Sequence, residues 1–178
     1  AIYRNRKLVG AQSHVMFSED GKRFTEPVPV VIDPEVKGDL NWIWRVTWHK
    51  GVGYGMSYDR KNNISLLKTT DGIHYSLIKT VNMEGFPNET TIRFDKDDTM
   101  WMIIRRDKGD RKAKLATSRP PYSEWEYTDL PMFVGGPDFI LDDRICVAGG
   151  RAHETGDEPK TVLSTDLFRG GPEITLPS

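Results

Sequence analysis

The sequence predicts an all-β chain, a β-propeller of four-stranded antiparallel blades with about three and a half blades present. Short runs rich in aromatic and β-branched residues recur between clusters of Gly, Asp, Asn and Pro, as strands joined by tight turns require, while helical periodicity is weak. A turn sequence also repeats. Ser18-Glu19-Asp20-Gly21-Lys22-Arg23-Phe24 returns as Thr69-Thr70-Asp71-Gly72-Ile73-His74-Tyr75, 51 residues later. Weaker copies follow 48 and then 47 residues on, at Thr117-Ser118-Arg119-Pro120 with a later Trp125, and at Ser164-Thr165-Asp166-Leu167-Phe168. A period of about 50 residues is that of a propeller blade.

Residues 1–33 supply half a blade, with 11–31 forming only the outer half of an earlier blade. The next blade occupies about 40–83, with strands expected at Trp42–His49, Gly53–Tyr58, Ile64–Thr69 and Tyr75–Val81. The following one occupies about 87–132, with strands at Thr90–Phe94, Met100–Arg106, Ala113–Thr117 and Trp125–Leu130. The last occupies 135–178, with strands at Asp138–Leu141, Ile145–Arg151, Thr161–Ser164 and Glu173–Leu176. Together these make a single partial propeller domain over 1–178. Gly51-Val52-Gly53-Tyr54-Gly55 lacks the strand-to-helix context of a phosphate loop and reads as a hairpin. Closed propellers use 4 to 8 blades, so these blades alone do not close a ring. Bare strand edges follow, and self-association through them, or continuation into further blades, is the expected remedy.

Charged residues make up 29% of the 178 residues and the formal net charge is −1, which gives no field for nucleic acid. A neutral or mildly anionic small ligand fits better. No window approaches 18 consecutive apolar residues, so no membrane span is expected, and the three basic residues in Ala1–Gly10 precede no hydrophobic stretch that would mark a targeting signal. Cys146 is the only cysteine, which excludes an internal disulfide. Asn63-Ile64-Ser65 and Asn88-Glu89-Thr90 match the N-glycosylation pattern. His14, His49 and His74 have no metal-ligand spacing, and neither metal nor cofactor is expected.

In the Asp-Gly turn a short carboxylate caps backbone donors while Gly takes φ > 0, so Asp20 and Asp71 read as structural. Chemistry is sought at two other offsets. Counting back 28 residues from each turn hydroxyl reaches Asn41, Glu89 and Gly136, with Asp138 close by; counting back 11 to 13 reaches Tyr58, Arg105 and Arg106, then Arg151 and His153. In a propeller the start of the innermost strand and the end of the second strand share one rim. Glu89 and Asp138 are the candidate catalytic carboxylates on that rim. Arg45, Arg93, Arg105, Arg106, Arg151, His153, Tyr58 and Trp44 are the candidate substrate-binding residues. Guanidinium forks match a sugar carboxylate, a carboxylic acid can protonate a glycosidic oxygen, and an indole such as Trp44 offers a face to a sugar ring. Strand alternation sends Arg105 and Arg106 to opposite faces, which favours Arg105 for the channel. The competing reading of Arg45 and Arg93 is a pair with a neighbouring blade's acid.

The Ser/Thr-x-Asp-Gly-x-x-aromatic turn resembles the Asp-box, and the chain resembles the sialidase (BNR-repeat, neuraminidase-like) superfamily over nearly its whole length. The stretches that carry the likeness are Trp44-Arg45-Val46-Thr47-Trp48, Pro87-Asn88-Glu89-Thr90-Thr91-Ile92-Arg93-Phe94, Ile104-Arg105-Arg106-Asp107, Gly135-Gly136-Pro137-Asp138-Phe139, Ala148-Gly149-Gly150-Arg151 and Leu176-Pro177-Ser178. The resemblance implies a six-bladed parent propeller acting on a carbohydrate substrate at the channel mouth, in a secreted or periplasmic glycoside hydrolase. It implies an arginine triad, to which Arg105 and Arg151 correspond, and a Tyr nucleophile assisted by Glu, for which Glu89 is the matching acid. No residue is assigned as the nucleophile, the third arginine or the acid/base, and the Arg-Ile-Pro signature of the first blade is absent. The alternative function is a non-catalytic propeller that binds glycan or protein.

Overall fold

The computed structural model describes residues 2–36, 40–142, 146–152, 160–165 and 173–176, and every regular element among them is a strand. The first strands are short: β1 Ile2–Arg4, β2 Lys7–Gln12, β3 His14–Val15, β4 Val28–Pro29, β5 Val31–Ile32 and β6 Leu40–Asn41. They build a three-stranded sheet in the order β1-β2-β6 and a separate β3-β4 pair. Three meandering sheets follow, each made of sequence neighbours paired antiparallel. The first has β7 Ile43–His49, β8 Val52–Tyr58, β9 Asn63–Thr69 and β10 His74–Asn82, with β5 added in parallel to its outer edge. The second has β11 Pro87–Phe94, β12 Met100–Arg106, β13 Lys114–Ser118 and β14 Glu126–Asp129. The third has β15 Gly135–Leu141, β16 Cys146–Ala152, β17 Lys160–Thr165 and β18 Glu173–Leu176.

Alternation along each strand decides which neighbouring sheet a side chain meets. On β12, Met100, Met102 and Ile104 join Met56, Ile64, Leu66 and Ile92 in one core between the first and second sheets. The intervening Ile103 meets Leu115, Phe139 and Ala148 in a second core toward the third sheet. Met56, Ile64, Leu66, Met100, Met102 and Ile104 are fully buried, each worth about 1.5–3 kcal/mol of hydrophobic stabilisation. A third, smaller core joins Val30 to Leu67 and Tyr75 and fastens the early strands to the first sheet.

The Asp-Gly turns are built as their sequence demands. Asp71 Oδ1 accepts from the backbone N–H of Ile73 and His74, both at 2.8 Å, and Gly72 N–H donates to Thr69 Oγ1 at 2.9 Å. Asp20 repeats the pattern on Lys22 and Arg23, with Gly21 N–H on Ser18 Oγ. Gly21 and Gly72 both take positive φ. The aromatics at their ends differ: Tyr75 is 6% exposed inside the third core, whereas Phe24 is 58% exposed because the strands around it form only a two-stranded pair.

The three innermost strands share an irregularity. Two residues face one between Ile43 and Val46, between Pro87 and Thr90, and between Gly135 and Asp138. Such bulges bend a strand and re-aim the side chains they carry. They place Trp44-Arg45 opposite Met56, Asn88-Glu89 opposite Arg105, and Gly136-Pro137 opposite Gly150.

Candidate functional site

The middle bulge holds a charged side chain across from another. Arg105, opposite Glu89, donates from Nη1 to Glu89 Oε2, and the same oxygen accepts the Gly136 N–H of the next sheet at 2.9 Å. Gly136 takes φ +59°, a conformation that favours glycine, and a Cβ there would stand 4.0 Å from Glu89 Oε2 and 3.8 Å from Arg151 Nη2. The other edge of the Arg105 guanidinium holds Asp107, from Nε at 2.7 Å and Nη2 at 3.3 Å, and Asn88 Nδ2 completes Asp107 at 3.0 Å. Burial works against the Arg105 charge, but the hydrogen bonds to Asp107 and Glu89 outweigh it and hold its pKa above the ordinary arginine value.

A cavity of about 220 Å³ opens over this network, lined by Trp42, Tyr58, Arg60, Phe86, Asn88, Glu89, Arg105 and Asp107. Tyr58 is 7% exposed and stacks on Trp42 with ring centroids 5.8 Å apart. Burial, and after it the Glu89 charge, push the Tyr58 hydroxyl up to about 12, so the phenol stays neutral and can donate. Among the described residues, Glu89 Oε1 and the Tyr58 hydroxyl make no hydrogen bond. Both of Asp107's oxygens are occupied. The cavity therefore offers one anchored carboxylate with a free oxygen, one neutral hydroxyl donor and an aromatic wall.

The sequence-derived candidates divide. Glu89, Arg105 and Tyr58 meet in this cavity. Arg151 is exposed beside Gly136 and makes no ion pair among the described residues. Asp138, expected as a catalytic acid, is instead a clamp between sheets: Arg45 Nη1 and Arg93 Nη2 each donate to one of its oxygens at 2.5 Å. Arg45 and Arg93 thus pair with a neighbouring blade's acid, the competing reading of the sequence, and all three side chains keep part of their surface open to solvent. Arg106 is corrected too, since alternation turns it to the far face of β12, where its buried guanidinium donates to Glu84 O at 2.9 Å, Asp110 Oδ1 at 2.8 Å and Lys112 O at 3.1 Å. Trp44 is half-buried, does not line this cavity, and has the Arg45 guanidinium 5.6 Å from its ring. The bulge turns it against the first core, with its Nε1 buried, and Trp42 takes the rim position. His153 lies outside the described residues.

Sequence reasoning missed Trp42, Arg60, Phe86, Asn88 and Asp107. Asp107 was the most findable, because it follows Arg105 by two positions, where alternation returns a side chain to the same face. Among the described residues no group of three His, Cys, Asp or Glu side chains is placed to hold a metal ion, and no helix is long and apolar enough to cross a membrane.

No protein-family model and no curated protein matches this sequence. Solved structures do match its fold. A protein of unknown function from Dyadobacter fermentans superposes with a TM-score of 0.72 at 16% identity, over 92% of this chain and 52% of its own. A bifunctional GH43-CE protein of Bacteroides eggerthii superposes with a TM-score of 0.54 at 14% identity, over 73% of this chain and 18% of its own. An exo-β-1,3-galactanase from Phanerochaete chrysosporium gives 0.54 at 12% identity, over 73% and 36%. The chain thus spans about half the length of the Dyadobacter protein and less of the glycosidases. The fold is that of a partial β-propeller. GH43 propellers have five blades, whereas the sialidase resemblance implied six.

Proposed function

We propose that the cavity around Glu89 is a glycan site and that the chain contributes it to a glycoside-hydrolase-like propeller. The observation that carries this reading is the half-anchored carboxylate. Glu89 Oε2 is fixed by Arg105 and by a backbone N–H from the adjacent sheet, while Oε1 and the neutral Tyr58 hydroxyl share a cavity walled by Trp42. In the proposed reaction Glu89 takes a proton from the water that attacks the anomeric carbon, and the glycosidic C–O bond breaks as the neutral Tyr58 hydroxyl passes its proton to the leaving oxygen. Tyr58 regains a proton from Glu89 in the shared cavity, while Arg151 contacts an anionic or hydroxyl group from the rim. Arg105 and Asp107 are positioning residues. The GH43 neighbours support glycan chemistry in general.

A sialidase-type reaction is the finer alternative, favoured by Tyr58 and Glu89 lying together. It needs Tyr58 as nucleophile, and the raised Tyr58 pKa weighs against an easily formed phenolate. A panel of aryl glycosides, the sialoside included, tests both. The proposal expects turnover that falls about 100-fold or more in Glu89→Gln, with a smaller loss in Arg151→Ala. A drop as large in Tyr58→Phe as in Glu89→Gln, on the sialoside alone, selects the sialidase reading. Glycan binding without any hydrolysis leaves the non-catalytic propeller.

A further inference from the structure

The second sheet carries another groove at its opposite rim. Glu89 lies at the start of β11 and Asp95 just past its end; at about 3.3 Å per residue the six steps between them separate the two sites by roughly 20 Å. The groove, of about 560 Å³, runs between the β11–β12 hairpin and the loop joining β13 to β14. It exists because the third turn repeat departs from the first two. The aromatic follows the turn hydroxyl by six positions in Ser18–Phe24 and Thr69–Tyr75 but by eight in Thr117–Trp125, and Arg119-Pro120 replaces the capping Asp-Gly. Ser118 Oγ then donates across the longer loop to Glu124 O at 2.7 Å, which holds the loop as one wall of the groove.

We propose that this groove binds a neutral glycan chain. Trp101 and Trp125 both line it, and each has its indole N–H tied to the protein, Trp101 to Asp95 Oδ2 at 2.8 Å and Trp125 to Tyr122 O at 2.9 Å. Their orientation is therefore fixed, and what they add to the lining is apolar ring surface, against which the C–H face of a pyranose packs. The carboxylates of Asp97, Glu124 and Glu126 supply acceptors for sugar hydroxyls, and Arg119 supplies donors. Four acids counting Asp95 stand against one arginine in the lining. Lys96 pairs with Asp97 at 2.9 Å and Lys79 with Glu124 at 3.7 Å, and Asp95 and Glu126 keep the balance negative, which disfavours uronic, sulfated and sialylated chains. The groove does not depend on hydrolysis at Glu89.

The test is an indole ¹⁵N spectrum of the 178-residue chain, whose five tryptophans each contribute one indole N–H, with signals assigned through Trp42→Phe, Trp101→Phe and Trp125→Phe. It is titrated with β-1,3-galactotriose, xylotetraose and cellotetraose as neutral probes, trigalacturonate as an anionic one, and tetralysine as a basic peptide. The proposal expects saturable shifts of Trp101 and Trp125 with at least one neutral probe, none with trigalacturonate, and binding roughly tenfold weaker in Glu126→Arg. No movement of Trp101 and Trp125 with any neutral probe overturns it, as does movement with tetralysine alone. Shifts confined to Trp42 overturn it while leaving the Glu89 reading intact; shifts confined to Trp101 and Trp125 do the reverse.

Discussion

Two carboxylates that looked alike in sequence, Glu89 and Asp138, separate once their partners are known. Asp138 has both oxygens held by arginines from two other sheets, whereas Glu89 has one oxygen held and one free. Asp138→Asn is therefore expected to lower stability by about 1 kcal/mol, because both pairs are partly solvent-exposed, and to leave turnover nearly unchanged; thermal melts beside the aryl-glycoside assay check this. Tyr58 gives a pH prediction. Its folded pKa, about 12, lies above the ordinary tyrosine value of 10.0, so burying it neutral stabilises the fold fully below pH 10, and that contribution fades as pH rises through about 12. Phenolate absorbance should show one late-titrating tyrosine fewer in Tyr58→Phe. A Tyr58 that ionises near pH 10 would contradict the buried, donor-only role.

At the scale of the strand, the sequence was a good guide where alternation and turn chemistry act locally. Met100–Arg106 and Glu173–Leu176 fall where expected, and the other blade strands differ by one to three residues at their ends. The largest difference is at β11 and β15, which start at Pro87 and Gly135 and not at Thr90 and Asp138. The added residues are those of the bulges, which no alternation pattern marks. The same bulges explain the mixed outcome at the site. A fixed offset of 28 residues reaches Glu89 in the second sheet but Asn41 in the first, where the bulge carries Trp44-Arg45, because the intervening hairpins differ in length. For Arg45 and Arg93 the sequence left two readings, a channel ligand or a pair with a neighbouring blade's acid. The pair is present, but that the acid is Asp138 could not be read locally, because it is contributed by a different blade. Gly150 opposes the third bulge, and a Cβ there would lie 2.5 Å from Val134 Cγ1 and 3.0 Å from the Gly135 carbonyl oxygen. Gly150→Ala should therefore shift the Gly135-Gly136 backbone, withdraw the N–H from Glu89, and lower activity more than it lowers the melting temperature.

Across the whole molecule, the cores stack sheet on sheet, and among the described residues several large apolar side chains stay outside them. Val46 and Trp48 on β7, Phe17 near them, and Ile140 on β15 at 72% exposed are large apolar side chains facing outward. The 178-residue chain alone is expected to sediment as an assembly above its 20.3 kDa monomer mass, and Trp48→Lys to shift it toward monomer. A stable, cooperatively melting monomer would contradict that expectation. The sheet stacking also explains why the site needs more than one blade: Glu89 takes its anchor from Gly136 of the next sheet and its cavity wall from Tyr58 and Trp42 of the one before. The most direct test of the central claim is a crystal structure of Glu89→Gln grown with an oligosaccharide that the native protein binds or cleaves. The sugar should lie against Trp42, within hydrogen-bond reach of the Tyr58 hydroxyl and the residue 89 side chain; a sugar bound only elsewhere, or an empty Glu89 cavity beside saturating ligand, would contradict it.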